Sequence, residues 1–336
     1  MKTRKLGRCC GLLWLLLSAD LPALESVDSQ RFEAFSEQMH KKNGFDAAAV
    51  RTTLGQAKRL DSVLSAIARP AEYKPWFVYR PIFLTRERIT GGINFWNEHA
   101  AALAKAEQEF GVPMSIIVAI IGVETSYGRN TGKYRVLDAL TTLAFYYPPR
   151  ADFFRSELEN FLLLTRDERL DPRLPTGSYA GAMGLPQFMP SSFRAWAVDF
   201  DHDGKRDIWR NPVDAIGSAA NYLAQHGWQR HQPIALPVAD AAVNAAHVSE
   251  KVQLVRTVAQ YRALGVRTLD AAPDDLSAVL LGYEDKTAKE YWLGFQNFYV
   301  ITRYNRSPKY ALAVVQLAEA IAAARAASTA GGSQTP

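Results

Sequence analysis

The chain has 336 residues, 48% hydrophobic and 22% charged, an ordinary globular composition with enough apolar material for one large domain or two to three small ones. Its formal charge of +5 is concentrated at the start, where Lys2, Arg4, Lys5 and Arg8 precede any acidic residue, and without residues 1–19 the charge is +1. That leaves no basic field for nucleic acid. The only two cysteines, Cys9 and Cys10, share the same stretch, so the rest of the chain holds neither a disulfide nor a thiol nucleophile.

Residues 1–19 run from basic to apolar (Leu12 to Leu17) to Ser18 and Ala19, the order of a secretory signal. Export is expected; the apolar run is far short of the ~20 residues that span a bilayer, although an uncleaved signal would leave a membrane tether. From Arg31 to Ala68 apolar residues recur at helical spacing, with Phe32, Phe35 and Met39 before an Asn43-Gly44 stop, and Val63, Leu64 and Ile67 before Pro70. Between Pro70 and Phe83 the rings of Tyr73, Trp76, Phe77 and Tyr79 sit among prolines, too irregularly for a helix face; they lock a loop onto the core or line a groove. A single long helix is predicted next, with Trp96, Ala100, Leu103 and Phe110 on one stripe and Gly111 as its stop.

It leads into PMSIIVAIIGVETSYG, residues 113–128, where Ile116, Ile117, Val118, Ile120, Ile121 and Val123 are apolar all round the wheel. This is the pattern of a helix buried on every side, and Pro113 suits its first turn. Glu124 is the anomaly. A carboxylate at the edge of such a helix loses water and keeps its proton near neutral pH, the state a general acid requires; a Glu satisfied by an Arg or a backbone amide fits the same pattern. The following Gly128 to Lys133 is not a phosphate loop, since it has one residue too few between the glycines and Tyr134 where Ser or Thr is required. Helices are predicted over Val136 to Phe145 and Asp152 to Leu164, with a turn at Tyr146 to Arg150.

From Gly177 to Ser192, Gly177, Gly181 and Gly184 are spaced through small and polar residues, a loop that either packs tightly or lets a ligand reach main-chain groups. Asp199, Asp201, Asp203 and Gly204 then match the first half of a calcium loop, with the carbonyl of Lys205 at position seven. Position twelve is Arg210 rather than Glu, so this is not a regular EF-hand, and Asp214 could close it instead. A divalent or sodium ion is expected, because three clustered carboxylates without a cation repel one another; an acidic surface turn is the alternative. Short strands suit Ile234 to Val238, Val252 to Val255 and Ser277 to Leu281, with Leu254 to Gly265 ambiguous. The aromatic-rich Glu290 to Tyr310 precedes an Ala-rich helix to about Ala327, whose Gln316, Glu319 and Arg325 argue against a membrane span, and the last nine residues read as disordered.

In this order, IIGVETSYG, YAGAMGLPQFMPSSF, VDFDHDGKRDIW with PVDAIGSAANYL, and NFYVITRYNRS resemble lytic murein transglycosylases of the B type, over about Arg31 to Leu317. The resemblance implies an α+β, predominantly α-helical fold: a lysozyme-like helical core with an added helical domain and a small β domain. Along the chain this gives a signal peptide at 1–19, a helical domain at 26–90 joined by the C-terminal helix, and a catalytic core at 91–230 with an EF-hand-like ion loop at 199–214. A β-rich insertion at 231–290, a return to the core at 291–327 and a tail at 328–336 complete it. Such enzymes cleave the β-1,4 bond between N-acetylmuramic acid and N-acetylglucosamine without water, leaving a 1,6-anhydromuramoyl end.

Carried onto this chain, the family pattern makes Glu124 the catalytic acid and base and places Ser178 and Gln187 against the N-acetylmuramoyl unit and its surroundings. Tyr79, Arg150, Tyr222, Tyr304, Asn305 and Tyr310 would line the groove, and Asp199, Asp201, Asp203, Lys205 and Asp214 would hold a structural calcium or sodium ion. No cofactor is expected for the chemistry. Expected partners are peptidoglycan glycan strands and, further, cell-wall synthesis proteins; nucleic acid is excluded, and a periplasmic monomer is implied. Four departures from the family pattern stand out: Tyr127 where many relatives have Trp, Leu185-Pro186 for a commoner Tyr-Gly, an ion loop one residue longer, and no cysteine at the expected lipid-anchor position.

Elementary chemistry agrees with the resemblance. Glycosidases usually employ two carboxylates, yet the next acidic residue after Glu124 is Asp138. With one carboxylate, the 2-acetamido oxygen of muramic acid can stabilise the developing cation. A lysozyme-type hydrolase of the same bond, or a non-catalytic peptidoglycan-binding protein, remain the alternatives at this point.

Overall fold

Caps and glycines set the helix ends. The computed structural model describes residues 21–68, 74–239 and 243–331; the expected signal at 1–19, Tyr73 and the end of the tail lie outside the described residues. A first compact unit ends at Gln56 and a second begins at Ala57, inside the stretch expected to form one helical domain over 26–90. In the first, α1 (Leu21–Asn43) stops at Gly44, whose φ of +69° lets its N–H reach His40 O at 3.0 Å. Asp46 then caps α2 (Ala47–Gly55) by accepting the Ala48 N–H at 2.9 Å.

The second unit opens with α3 (Asp61–Ile67), α4 (Trp76–Tyr79), α5 (Arg86–Glu98), α6 (Ala100–Phe110) and α7 (Met114–Thr125). Two expectations change here. The aromatic segment before Phe83 is helical after all: Pro75 stands at the N-cap of α4 and Pro81 in the first turn of the 3-10 helix Arg80–Ile82, positions where a missing N–H costs nothing. The single long helix is two, because His99 (φ −112°, ψ 27°) leaves helical geometry between α5 and α6, its ring 4.6 Å from that of Phe95.

The chain continues through β1 (Tyr134–Arg135), α8 (Val136–Tyr146), α9 (Ala151–Asp167), β2 (Thr176–Gly177), α10 (Pro190–Trp196) and α11 (Pro212–Gln225). Then come β3 (Ala235–Ala239), β4 (Arg256–Thr257), α12 (Val258–Ala263), β5 (Arg267–Thr268), β6 (Ser277–Glu284), β7 (Lys289–Gly294), α13 (Gln296–Tyr304) and α14 (Pro308–Gly331). Among the described residues the fold is thus predominantly helical, with a five-stranded sheet and the two-stranded pair β1–β2. α7 lies at its centre, packed by α5, α6, α11 and α14. Every residue from Ile116 to Val123 is buried, as the all-round apolar pattern predicts. Each such Ile or Val contributes about 2 kcal/mol by leaving water, and together they outweigh the several kcal/mol that a partly desolvated carboxylate costs at the helix end.

α14 is apolar and long enough to cross a bilayer by length and composition, but Leu312, Val314, Val315, Leu317 and Ile321 are buried against the protein itself. Its described part runs to Gly331, beyond the expected end at Ala327, because Ala326, Ala327 and Ala330 continue a strong helix-forming run. The sheet is antiparallel in the order β4-β6-β7-β3-β5, and the β6–β7 hairpin pairs Val279 with Gly294 through Glu284 with Lys289. Tyr261, Leu280, Leu293 and Phe295 form its core. Val252 to Val255 is not a strand; pairing starts one residue later, at Arg256, and the ambiguous stretch resolves into β4 and α12, which Thr257 and Gln260 join in a capping box. β7 falls within what reads in sequence as an aromatic run-up to a helix.

Candidate active site

Glu124 stands in the last turn of α7, half-buried. The Tyr310 hydroxyl, from the start of α14, donates to Glu124 Oε1 at 2.5 Å. Burial first, then the charge of Glu124, pushes the Tyr310 phenol well above its ordinary value, so it stays a donor. Tyr304, at the end of α13, is raised by the same two causes in the same order. Thr125 is a residue that sequence reasoning missed. Its hydroxyl lies 3.1 Å from Leu185 O and 3.2 Å from Ile121 O and accepts the Gly128 N–H at 3.0 Å, tying the end of α7 to the glycine loop. Its place beside Glu124 was the available signal.

The glycine loop is built by packing. A Cβ on Gly177 would stand 2.2 Å from Ala182 O, and one on Gly184 (φ +68°) 2.4 Å from Ile208 O, so neither position tolerates a side chain. Within this loop Ser178 Oγ accepts the N–H groups of Ala180 and Ala182 at 3.3 and 3.1 Å, which leaves its own proton as a donor for a ligand. Gln187 (φ +50°) spends its amide N–H groups on Thr131 O and Gly184 O, at 3.1 and 2.9 Å, leaving its carbonyl oxygen as the acceptor. The Tyr304 hydroxyl holds the same loop by donating to Pro186 O at 2.7 Å.

Around this centre the predicted aromatics form two groups. Tyr222 meets Tyr304 edge-on at 4.7 Å and donates to Arg303 O at 2.6 Å; burial pushes its phenol up to about 12. Tyr79 is stacked on Trp76 and tilted against Phe83. Asn305 Oδ1 accepts the Ser307 N–H at 3.0 Å and shapes the turn into α14. Arg150 is exposed at the turn between α8 and α9, its guanidinium 4.4 Å from the Phe153 ring centre, and no recorded contact joins it to the Glu124 cluster. Two of the buried carboxylates, Asp138 and Glu157, are bonded elsewhere. Asp138 binds Arg135 (2.8 and 2.5 Å) and the Lys58 N–H, and Glu157 accepts the Ser191 N–H and hydroxyl at 2.9 and 2.7 Å.

In the acidic loop, one ligand atom from each of Asp199, Asp201 and Asp203 lies within 4.8 Å of the others. That is about the span of opposite ligands on one calcium at roughly 2.3–2.6 Å each, so the donor set fits such an ion. Gly204 (φ +89°) makes the sharp turn, and its N–H reaches Asp199 Oδ2 at 2.8 Å. Asn211 holds Asp201 below the ordinary carboxylate range by donating at 2.8 Å. Asp214 stands apart from the three: fully buried, it accepts the N–H groups of Phe200 and Asp207 at 2.7 and 2.8 Å and clasps both ends of the loop.

The family model described as "Transglycosylase SLT domain" matches residues 28–319. The chain is 45% identical over 303 residues to membrane-bound lytic murein transglycosylase B of Escherichia coli (strain K12), covering 87% of this chain and 83% of that protein. It matches the crystal structure of soluble lytic transglycosylase SltB1 from Pseudomonas aeruginosa with a TM-score of 0.83 and 52% identity, over 88% of this chain and 99% of that one. The Escherichia coli lytic transglycosylase Slt35 in complex with calcium matches with a TM-score of 0.81 and 45% identity, over 89% and 94% of the two chains.

Proposed function

Because the chain belongs to the transglycosylase SLT domain family and is a lytic transglycosylase acting on peptidoglycan, with a lysozyme-like fold, we propose that Glu124 alone supplies its acid and base. The bond cut is the β-1,4 link between N-acetylmuramic acid and N-acetylglucosamine. Glu124 protonates the leaving oxygen, and the acetamido oxygen of muramic acid stabilises the cation forming at C1. The carboxylate then takes the proton from the C6 hydroxyl, whose oxygen attacks C1 and closes the 1,6-anhydro ring. The observation that supports this reading is the half-buried Glu124 carboxyl at the end of α7, held by the Tyr310 hydroxyl donating to its Oε1 at 2.5 Å. That Asp138 and Glu157 are engaged elsewhere supports substrate assistance in place of a second carboxylate.

Ser178 would orient the acetamido group, Gln187 and the Tyr304-Asn305 pair would shape the sugar site, and Tyr79, Arg150, Tyr222 and Tyr310 would extend the groove for glycan strands. Weighing the fragments of digested peptidoglycan tests the reaction: each anhydro end is lighter by one water than a reducing end. Anhydro ends are expected to dominate, and a majority of reducing ends would reassign the protein to hydrolysis. Residues 91–230 with 291–327 would make the catalytic core and 231–290 the β insertion. The basic and apolar order of residues 1–19 supports export to the periplasm; a monomer that works beside cell-wall synthesis proteins is what the family pattern implies.

Asp199, Asp201, Asp203 and the carbonyl of Lys205 would hold calcium, with Asp214 bracing the loop from within. Slt35 is a relative whose structure contains calcium. Such an ion neutralises three carboxylates that otherwise repel, and it stabilises the folded state by mass action. Calcium at 100 times its dissociation constant is expected to add about 2.7 kcal/mol. The check is a pair of melting curves, one with calcium and one with chelator. Coincident curves would remove the ion from the account, while turnover with chelator at a temperature well below Tm should be unchanged.

A further inference from the structure

The tightest construction around Glu124 that the reaction has not yet used lies behind it. α7 ends in two consecutive left-handed residues, Ser126 (φ +51°) and Tyr127 (φ +63°), before Gly128 (φ +84°). Residues with a Cβ avoid that region, so the turn persists only where neighbours hold it. α5 holds both. Arg88 Nη2 donates to Ser126 Oγ at 2.7 Å while its Nη1 donates to Ile82 O at 2.7 Å, and the Arg88 carbonyl accepts from the Tyr127 hydroxyl at 2.8 Å. The Tyr127 ring fills a notch cut by three glycines. A Cβ on Gly91, Gly92 or Gly122 would come within 2.9, 2.6 and 2.5 Å of its ring or hydroxyl. Glycine weakens a helix interior relative to alanine, and the ring accounts for why α5 and α7 carry it here. Burial pushes the Tyr127 phenol far above its ordinary value, so it remains a donor.

The turn in turn closes α7. With Ser126 and Tyr127 left-handed, their N–H groups fold back onto Gly122 O and Ile121 O at 3.1 and 3.3 Å, across the helical turn that carries Glu124. We propose that Arg88 and Tyr127 are positioning residues for peptidoglycan cleavage: they lock the left-handed turn after Glu124 and thereby aim its carboxyl, a role that rests on Glu124 being the acid. A small rotation of this turn moves the carboxyl relative to the glycosidic oxygen, and misplacement of about 1 Å can cost on the order of 10²-fold in rate.

The test compares the wild-type enzyme with Tyr127→Phe, Glu124→Gln and the double variant, measuring kcat, KM and Tm on soluble peptidoglycan fragments. Tyr127→Phe keeps the ring in its notch and removes only the donor. Its kcat should fall roughly tenfold with KM within about twofold, since aim matters in the transition state more than in binding. Placing p-aminophenylalanine at position 127 restores an N–H donor and should recover most of the loss. The double variant should match Glu124→Gln, because no acid is left to aim. Wild-type kcat in Tyr127→Phe, no recovery with the amino analogue, or a double variant about tenfold slower than Glu124→Gln would each overturn the proposal. Normal turnover in Glu124→Gln is a separate result, which would remove the acid assignment itself.

Discussion

Glu124→Gln is expected to lower peptidoglycan turnover by at least ~10²-fold, the scale of a lost general acid, with Tm almost unchanged. The amide has the shape of the carboxyl, and its carbonyl oxygen can still accept the Tyr310 hydroxyl now 2.5 Å from Oε1. What it lacks is a proton to give the leaving oxygen and a basic site to take one from the C6 hydroxyl. Burial and the nearby Glu124 keep the phenols of Tyr304 and Tyr310 neutral, so the amide leaves no buried charge without a counterpart. Release of soluble muropeptides, measured beside a thermal melt, checks both halves. Near wild-type release would place the acid elsewhere, and a large drop in Tm would make the carboxylate a structural group.

Gly132→Ala is expected to damage stability and turnover together. Gly132 sits at φ +92°, and a Cβ there would stand 2.1 Å from the backbone carbonyl carbon and oxygen of Gly177 and 2.5 Å from Ser178 N. Backbone on both sides cannot yield as a side-chain tip can, so β1 must part from β2 or the Ser178 loop must shift. Strain and overpacking of this kind cost about 2–5 kcal/mol, enough to lower Tm by roughly 10 °C. Displacing Ser178 should slow the surviving folded enzyme by about 10²-fold if the loop moves 1 Å. Gly265→Ala is the control, since it has a similar φ of +86° but nothing within 4 Å of the added methyl. Equal losses in the two variants would mean that backbone strain alone matters and that the contact between Gly132 and Gly177 does not.

What could be read from the sequence was what is local. α7 announces itself by apolar residues on every face, its single carboxylate is conspicuous for that reason, and the three aspartates meet because they alternate within five residues. The partner of Glu124 was not legible as a bond, because Tyr310 lies 186 residues away and only the return of α14 onto α7 brings it there. The same holds for Asp214, whose spacing suggested a further ligand; that it also accepts two backbone amides across the loop is visible only in the fold. Strands were hardest. β4 and β5 are two residues long and have no periodicity to detect, and in β7 the run Tyr291-Trp292-Leu293 suits helix and strand alike until its partner is known. The break at His99 left no mark, since the stripe from Trp96 to Phe110 keeps helical spacing across it. The glycine pair in α5 was a readable clue: two adjacent glycines inside a helix call for a neighbour that needs the space.

The five-stranded sheet also bears on how the protein behaves in crowded company. A long, flat outer strand would offer a row of unsatisfied amides to any passing chain, the usual seed of aggregation. Here both outermost strands, β4 and β5, are two residues long, and the long hairpin β6–β7 is interior to the order. Where β5 stops covering β3, the next residue back is Pro237, which has no N–H to lend to another chain. On the other flank Ser249 bridges Leu281 just beyond the reach of β4. Its outer rim therefore gives a foreign strand little to align with, and the enzyme can accumulate on a polymeric substrate without its sheets joining end to end.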